Sequence, residues 1–286
     1  MKKTILILIA IFNINTFASS DVFRVNGCGI TRNAFTVELT KAFAKKYDVK
    51  TTINKKGSGT KALKALSQNK ADIATCCRLP LRNTIANEKN IWSVQVAWGA
   101  LAFIVHESNK VNNITTQDLK KVLLGKITNW KDLGGDDAPI DLYLRKGKQT
   151  GIGFSSRILL FSNNKQDLSP NATRVANSSL IRKAVKNNPY AFAIDDISSV
   201  KNIENIKVLS LDGIYPSKET IMSEQYKLAT PYYLYSNGRP KGLVRQYIKF
   251  ALSKEGQELI SQLGNVNLAE GKSSKNLKFL LIKLNP

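Results

Sequence analysis

The sequence predicts an α/β fold of two lobes joined by crossing strands. Three observations carry this prediction. Short β-rich runs alternate with helical periods, the pattern of parallel α/β architecture. One apolar run, residues 94–105, is long enough to leave one lobe and cross into another. No internal repeat or low-complexity linker divides the chain into domains in series.

The elements follow in order. Residues 22–25 read as a strand ending at Asn26-Gly27-Cys28-Gly29. Residues 34–47 read as a helix with Phe35, Leu39, Ala42 and Phe43 on one face. Residues 51–53 form a second strand, closed by Gly57-Ser58-Gly59-Thr60. An amphipathic helix with Ala62, Leu63, Ala65 and Leu66 inward follows. Residues 72–74 make a third strand, running into Thr75-Cys76-Cys77-Arg78-Leu79-Pro80. Beyond the crossing run, Thr115-Thr116-Gln117-Asp118 opens a helix backed by Leu119, Val122, Leu123 and Leu124. Residues 140–144 form a strand, 145–153 a glycine-bearing loop and 154–161 a helix. Residues 180–185 are helical, and 191–194 and 228–235 are strands. Residues 243–263 form a helix split at Ser253-Lys254-Glu255-Gly256. The expected division is residues 21–98 and 228–270 for one lobe and 99–227 for the other. A basic apolar tail occupies 271–286.

The first twenty residues have the order of a secretory signal peptide, with cleavage expected near residues 18–20. Lys2 and Lys3 precede a short apolar run, and Ala18-Ser19-Ser20 follow it. That run falls well short of the ~20 apolar residues a spanning helix needs. An exported, periplasmic protein is expected, and a monomer. The chain carries a net charge of +22, of which Lys2 and Lys3 supply two. Such an excess favours anionic partners without specifying a fold. The lysines are scattered, and no zinc-finger or RNA-binding signature is present, so no nucleic-acid role is expected.

Three loops share one position, each after a strand and before a helix or turn: residues 26–32, 57–60 and 145–153. Helix N-termini bind anions through free N–H groups and the dipole, and glycine lets backbone approach a ligand. Arginine's planar fork suits tetrahedral oxyanions. Ser58, Gly59, Thr60, Arg78, Arg145, Thr150 and Gly151 are therefore expected donors, with Thr31 and Arg32 beside them.

Several segments resemble the periplasmic phosphate-binding protein family, in its shorter PstS-like form. They are Gly57-Ser58-Gly59-Thr60-Lys61-Ala62-Leu63 with Ala71-Asp72-Ile73-Ala74, and Trp98-Gly99-Ala100-Leu101 through Gly125-Lys126-Ile127-Thr128-Asn129-Trp130 to Gly135. Residues 208–216 and 252–257 extend the match. The resemblance implies a two-lobed type II periplasmic binding fold, ligand capture by lobe closure, and delivery to the permease of an ABC transporter. It places Ser58 with Gly59 or Thr60, and Arg145, at ligand-facing positions. This sequence departs from the family at Lys148-Gln149-Thr150-Gly151, where a Gly-Ser-Gly-Thr run is usual. It departs again in the loop after the first strand, Gly27-Cys28-Gly29-Ile30-Thr31-Arg32, where Ser or Thr is usual, and at Cys77-Arg78.

The three cysteines fall at these altered loops. In an oxidising compartment, Cys28 paired with Cys76 or Cys77 is the leading expectation, and a bond between adjacent Cys76 and Cys77 is disfavoured by strain. The rival is a cleft in which Cys28 and Cys77 define another ligand, a soft metal or other non-phosphate solute. A third reading is a sensor or anionic-surface binder. Enzyme chemistry is not expected. His106 is the single imidazole, no P-loop ending is present, and Asp136-Asp137 and Asp195-Asp196 read as solvated turn residues. No cofactor and no resident metal are expected.

Overall fold

The computed structural model describes residues 22–54 and 57–272. The predicted leader and residues 273–286 of the predicted tail lie outside the described residues. The strands are β1 (Phe23–Gly27), β2 (Thr51–Ile53), β3 (Ile73–Cys76), β4 (Ile91–His106), β5 (Asn113–Ile114), β6 (Asp141–Arg145), β7 (Thr173–Val175), β8 (Ala191–Asp196), β9 (Ile206–Leu211), β10 (Ala229–Asn237) and β11 (Val266–Asn267). Helix α1 (Gly29–Thr31) continues through a π-helical segment (Arg32–Thr36) into α2 (Val37–Tyr47). The others are α3 (Gly59–Ser67), α4 (Thr116–Leu123), α5 (Gly151–Phe161), α6 (Ser178–Lys186), α7 (Ile197–Val200), α8 (Lys218–Met222), α9 (Gly242–Leu252), α10 (Lys254–Gln262) and α11 (Leu268–Lys272).

Strand β4 belongs to both halves of the molecule. Its residues 91–100 pair antiparallel with β10, and Trp98 and Ala97 also pair with β11. From Leu101 onward it pairs with β8 and β9 instead. One side of the sheet therefore runs β2-β1-β3-β10-β4 and the other β4-β8-β6-β7, with β5 and β9 attached. Residues 96–105 of β4 are all buried. A strand covered on both faces has no polar face to alternate with, which is why this stretch reads as a continuous apolar run.

Chain return explains the C-terminal helices. Tyr247 of α9 sits with its ring 5.0 Å from that of Phe43 on α2 and 5.4 Å from Phe23 on β1. The Tyr247 hydroxyl lies 2.9 Å from that of Thr40. In the other lobe, the Trp130 indole donates to the Tyr190 carbonyl at 3.0 Å and its ring packs on Phe192 of β8.

Two expectations are corrected. Helix α5 begins at Gly151, three residues before the predicted start, because Thr150 caps it and accepts from the Gly153 N–H. Asp195 and Asp196 do not lie in a solvated turn. They end β8 and are fully buried, where Arg182 and the start of α7 take up their oxygens.

Arg78 and Glu88 form a pair with no side-chain exposure. The guanidinium donates to both Glu88 oxygens at 2.8 and 2.6 Å, and Glu88 accepts a third bond from the Leu81 N–H. Arg78 also donates to the carbonyls of Leu79 and of Gln149 in the loop before α5. Removing one partner strands the other charge away from water. Glu88→Ala should therefore lower unfolding free energy by about 3–5 kcal/mol, read from the urea midpoint.

Candidate functional site

A cavity of about 340 Å³ lies between the two lobes. Four strand-to-helix junctions line it. The first lobe contributes Cys28, Gly29, Ile30 and Arg32, with Gly57, Ser58, Gly59 and Lys61. The second contributes Arg145, Thr150, Gly151 and Ile152, with residues 176–179 and Arg182. Helices α3, α5 and α6 are nine, eleven and nine residues long, and each directs its first turn at this space. The uncapped N–H groups and the positive dipole ends of all three meet there.

Each N-cap side chain fixes its helix. Ser58 accepts from the Lys61 N–H at 3.3 Å, and Asn177 accepts from the Leu180 N–H at 2.9 Å. Thr150 accepts from Gly153 and donates its own proton to the Gly147 carbonyl at 3.1 Å. Its hydroxyl is thus spent on the loop, whereas the Ser58 proton stays available to a ligand.

Arg145 is the most distinctive group. It ends β6, is only 9% exposed, and its buried Nη1 has no hydrogen-bond partner. Burial pushes its pKa down from the usual guanidinium value, against the attraction of Asp195, Cys28 and Cys77. Arg182, in the second turn of α6, is held by Asp195 at 2.8 Å. Among the described residues, no aspartate or glutamate lines the cavity.

The structure brings together Cys28, Arg32, Ser58, Gly59, Arg145, Thr150 and Gly151 among the expected residues. The other four stand elsewhere. Thr31 is fully buried behind the first loop, its hydroxyl 3.3 Å from Cys28 Sγ and 2.8 Å from the Thr75 hydroxyl. Thr60 is the second residue of α3 and lies outside the lining. Arg78 is committed to Glu88. Cys77 is buried beneath Gly151, and its carbonyl accepts from Ser155 at 3.1 Å. Sequence reasoning missed Lys61, Asn177, Ser178, Ser179 and Arg182. The Asn177-Ser178-Ser179 run before an apolar period is a capping signal that could have found the fourth junction.

The expected disulfide is absent: Cys28, Cys76 and Cys77 are all free and buried. Their sulfurs converge instead, all within 4.8 Å of one another. Hydrogen bonds from the Cys76 and Cys77 thiols, and from Thr31, hold the Cys28 thiol well below its ordinary pKa despite burial. The same bonds to Cys28, together with burial, push Cys76 and Cys77 upward.

A PBP superfamily domain matches residues 31–255. The phosphate-binding protein PstS of Borreliella burgdorferi is 28% identical over 176 residues, covering 59% of this chain and 63% of that protein. The match thus spans just under two thirds of that relative's length. The PstS of Bacillus subtilis is 24% identical over 221 residues, covering 77% and 72%. Among solved structures, a Clostridium perfringens ABC-transporter substrate-binding protein, assigned to phosphate and solved with phosphate bound, superposes with a TM-score of 0.77. It is 25% identical, over 87% of this chain and 100% of that one. A phosphate transport receptor from Vibrio cholerae gives 0.64 at 22% identity, over 86% and 100%, a likeness of fold.

The buried acids give the site a pH signature. Burial raises Asp195 to about 6, against the pull of Arg182, and raises Asp196 to about 7, against bonds from Ser198 and Tyr232. Unfolded, both return to the ordinary value near ~3.9. Between these limits the native state binds more protons, so their contribution to stability falls as pH rises. Asp196→Asn removes one such term. The melting temperature of the variant minus that of the wild type should therefore increase from pH 5 to pH 8. A difference that stays flat would show that Asp196 ionises as freely in the folded chain as in the unfolded one.

Proposed function

The chain belongs to the PBP superfamily, and from that premise we propose that it captures a small tetrahedral oxyanion, phosphate first, for an ABC importer. The reading includes export by the leader at residues 1–20, action as a monomer in the periplasm, and delivery of the ligand to a membrane permease. It assigns a binding role and no catalysis. Among the described residues no helix is long and apolar enough to cross a membrane.

The observation that carries the reading is Arg145, an arginine about nine-tenths buried with an unpartnered Nη1 at the wall of the cavity. A buried unpaired donor of this kind costs free energy until an acceptor arrives. An oxyanion supplies one. Arg182, Lys61 and the first turns of α3, α5 and α6 add positive potential from both lobes, and Ser58 adds a hydroxyl. Because donors come from both sides, the anion itself draws the lobes together, the differential contact that drives domain closure. The names of the relatives and the phosphate in the Clostridium structure select phosphate among oxyanions.

The lining also sets a limit on selectivity. A phosphate P–OH is best recognised by a strong acceptor, and among the described residues no carboxylate lines this cavity. Sulfate, which has no proton to offer, should compete with phosphate. The discrimination should fall well short of the ~10⁴-fold reached by sites built to hydrogen-bond a substrate hydroxyl.

Isothermal titration of the mature protein with phosphate should give saturable 1:1 binding that survives moderate salt, since a buried ligand is little screened. Arg145→Ala should weaken it by at least ~10–100-fold, the worth of a lost charged hydrogen bond. Binding that vanishes with salt and ignores Arg145 would instead mark a general anionic-surface protein. Absence of any heat or thermal shift with phosphate and sulfate would remove the oxyanion reading.

A further inference from the structure

Behind the anion cavity, reaching its wall at Cys28, lies a second cluster whose sulfurs supply no donor in the oxyanion reading. Cys28 caps the helical run from Gly29, Cys76 ends β3 and Cys77 follows it. All three are buried, and their sulfurs lie within 4.8 Å of one another. The surrounding backbone is shaped to admit them. Gly59 is the first residue of α3, and a Cβ there would lie 2.1 Å from Cys76 Sγ. Gly151 is the first residue of α5, and its Cβ would lie 2.4 Å from Cys77 Sγ and 3.6 Å from Cys76 Sγ. Two helix starts, one from each lobe, therefore rest directly on sulfur.

We propose that Cys28, Cys76 and Cys77 form a trithiolate site for a soft monovalent metal ion, Cu(I), at the floor of the cavity. The donor set selects the ion. Thiolates favour soft metals, and hard cations such as calcium and magnesium require oxygen ligands. Structural zinc is almost always four-coordinate, whereas this cluster offers three sulfurs and no histidine or carboxylate. On binding, three S–Cu bonds form and each thiol still protonated releases its proton to water. Copper stays Cu(I), so no oxidant or reductant is involved. Three thiolates and one monovalent ion leave a charge of minus two in a buried place. Arg145 lies within electrostatic reach of Cys28 and Cys77, whereas Arg78, near Cys76, is already paired with Glu88. The positive ends of α3 and α5 face the same sulfurs. The site is additional to the oxyanion site and its existence does not depend on it.

The test uses the full chain, purified reduced and without oxygen, with Cu(I) presented as its bicinchoninate complex. One equivalent of copper should transfer to the protein, and X-ray absorption of that wild-type sample should show three sulfur neighbours and no nitrogen or oxygen. Cys28→Ser, Cys76→Ser and Cys77→Ser should each weaken Cu(I) binding by more than the ~10–100-fold that loss of an outer-shell partner costs at metal sites. Circular dichroism reports whether each variant folds, and the absorption measurement needs no variant. Failure to take copper from the competitor, two or fewer sulfur neighbours, or Zn(II) held more tightly than Cu(I) would overturn the assignment. A phosphate titration of the same copper-free sample keeps the two readings apart, since either can fail while the other stands.

Discussion

Everything in this fold hangs on one strand serving two sheets. β4 spends its first ten residues against β10 and β11 and its last six against β8 and β9. Its buried stretch, residues 96–105, is apolar throughout apart from Gly99. A continuous hydrogen-bonded strand cannot be pulled apart without breaking both ladders, so the lobes are held in register while their facing loops remain free to approach. Glycine at position 99 follows from the same crowding. A Cβ there would meet the Tyr232 hydroxyl at 1.8 Å, the hydroxyl that also donates to Asp196. The crossover is therefore a packed joint rather than a bare linker.

The site is a product of topology more than of any one motif. Each functional junction lies where a strand ends and a helix begins. Stacking these units side by side brings the N-termini of α3, α5 and α6 to one gap. Helix dipoles and free N–H groups are then concentrated without a single dedicated ligand residue. Arginine supplies what backbone cannot. Arg145 brings a full charge that the surrounding protein leaves unsatisfied, and Arg182 brings another held by a buried acid. The overall positive charge of the chain acts at longer range, raising the local concentration of anions around the cleft.

Buried charge is handled in three ways within one small region. Arg78 and Glu88 neutralise each other completely and also tie β3 to the loop before α5. Asp195 is paired with Arg182, and Asp196 is surrounded by the Ser198, Thr230 and Tyr232 hydroxyls. The cysteines form the third case, where a thiol of lowered pKa is solvated by neighbouring thiols rather than by water. Arg78, the two aspartates and the cysteines all sit at or just beyond strand ends, where the sheet stops and the helices have not yet closed over it. Polar chemistry in an α/β protein collects at that level because backbone groups there are the last to find partners.

Much of this was legible along the chain. Apolar periods marked α2, α3 and α9, the long run at 94–105 marked the crossover, and Gly57-Ser58-Gly59-Thr60 marked a junction at the cavity. Arg145 was identifiable because a strand, an arginine and a glycine-bearing loop follow one another. Other assignments needed the third dimension. Arg78 and Arg145 have the same local setting, each at a strand end before a loop, yet one is consumed by Glu88 and the other is left for a ligand. Asp195 and Asp196 looked like turn acids until Arg182 and Tyr232 were seen packed against them. The cysteines are 48 and 49 residues from the first of their number, and spacing alone could not tell a disulfide from a converging trio of free thiols. The sequence by itself determined which segments become strands and helices, because that depends on local period and capping. Only the tertiary structure decided which charges and thiols meet, because partner choice depends on distances across strands β3, β6 and β8 that no local pattern encodes.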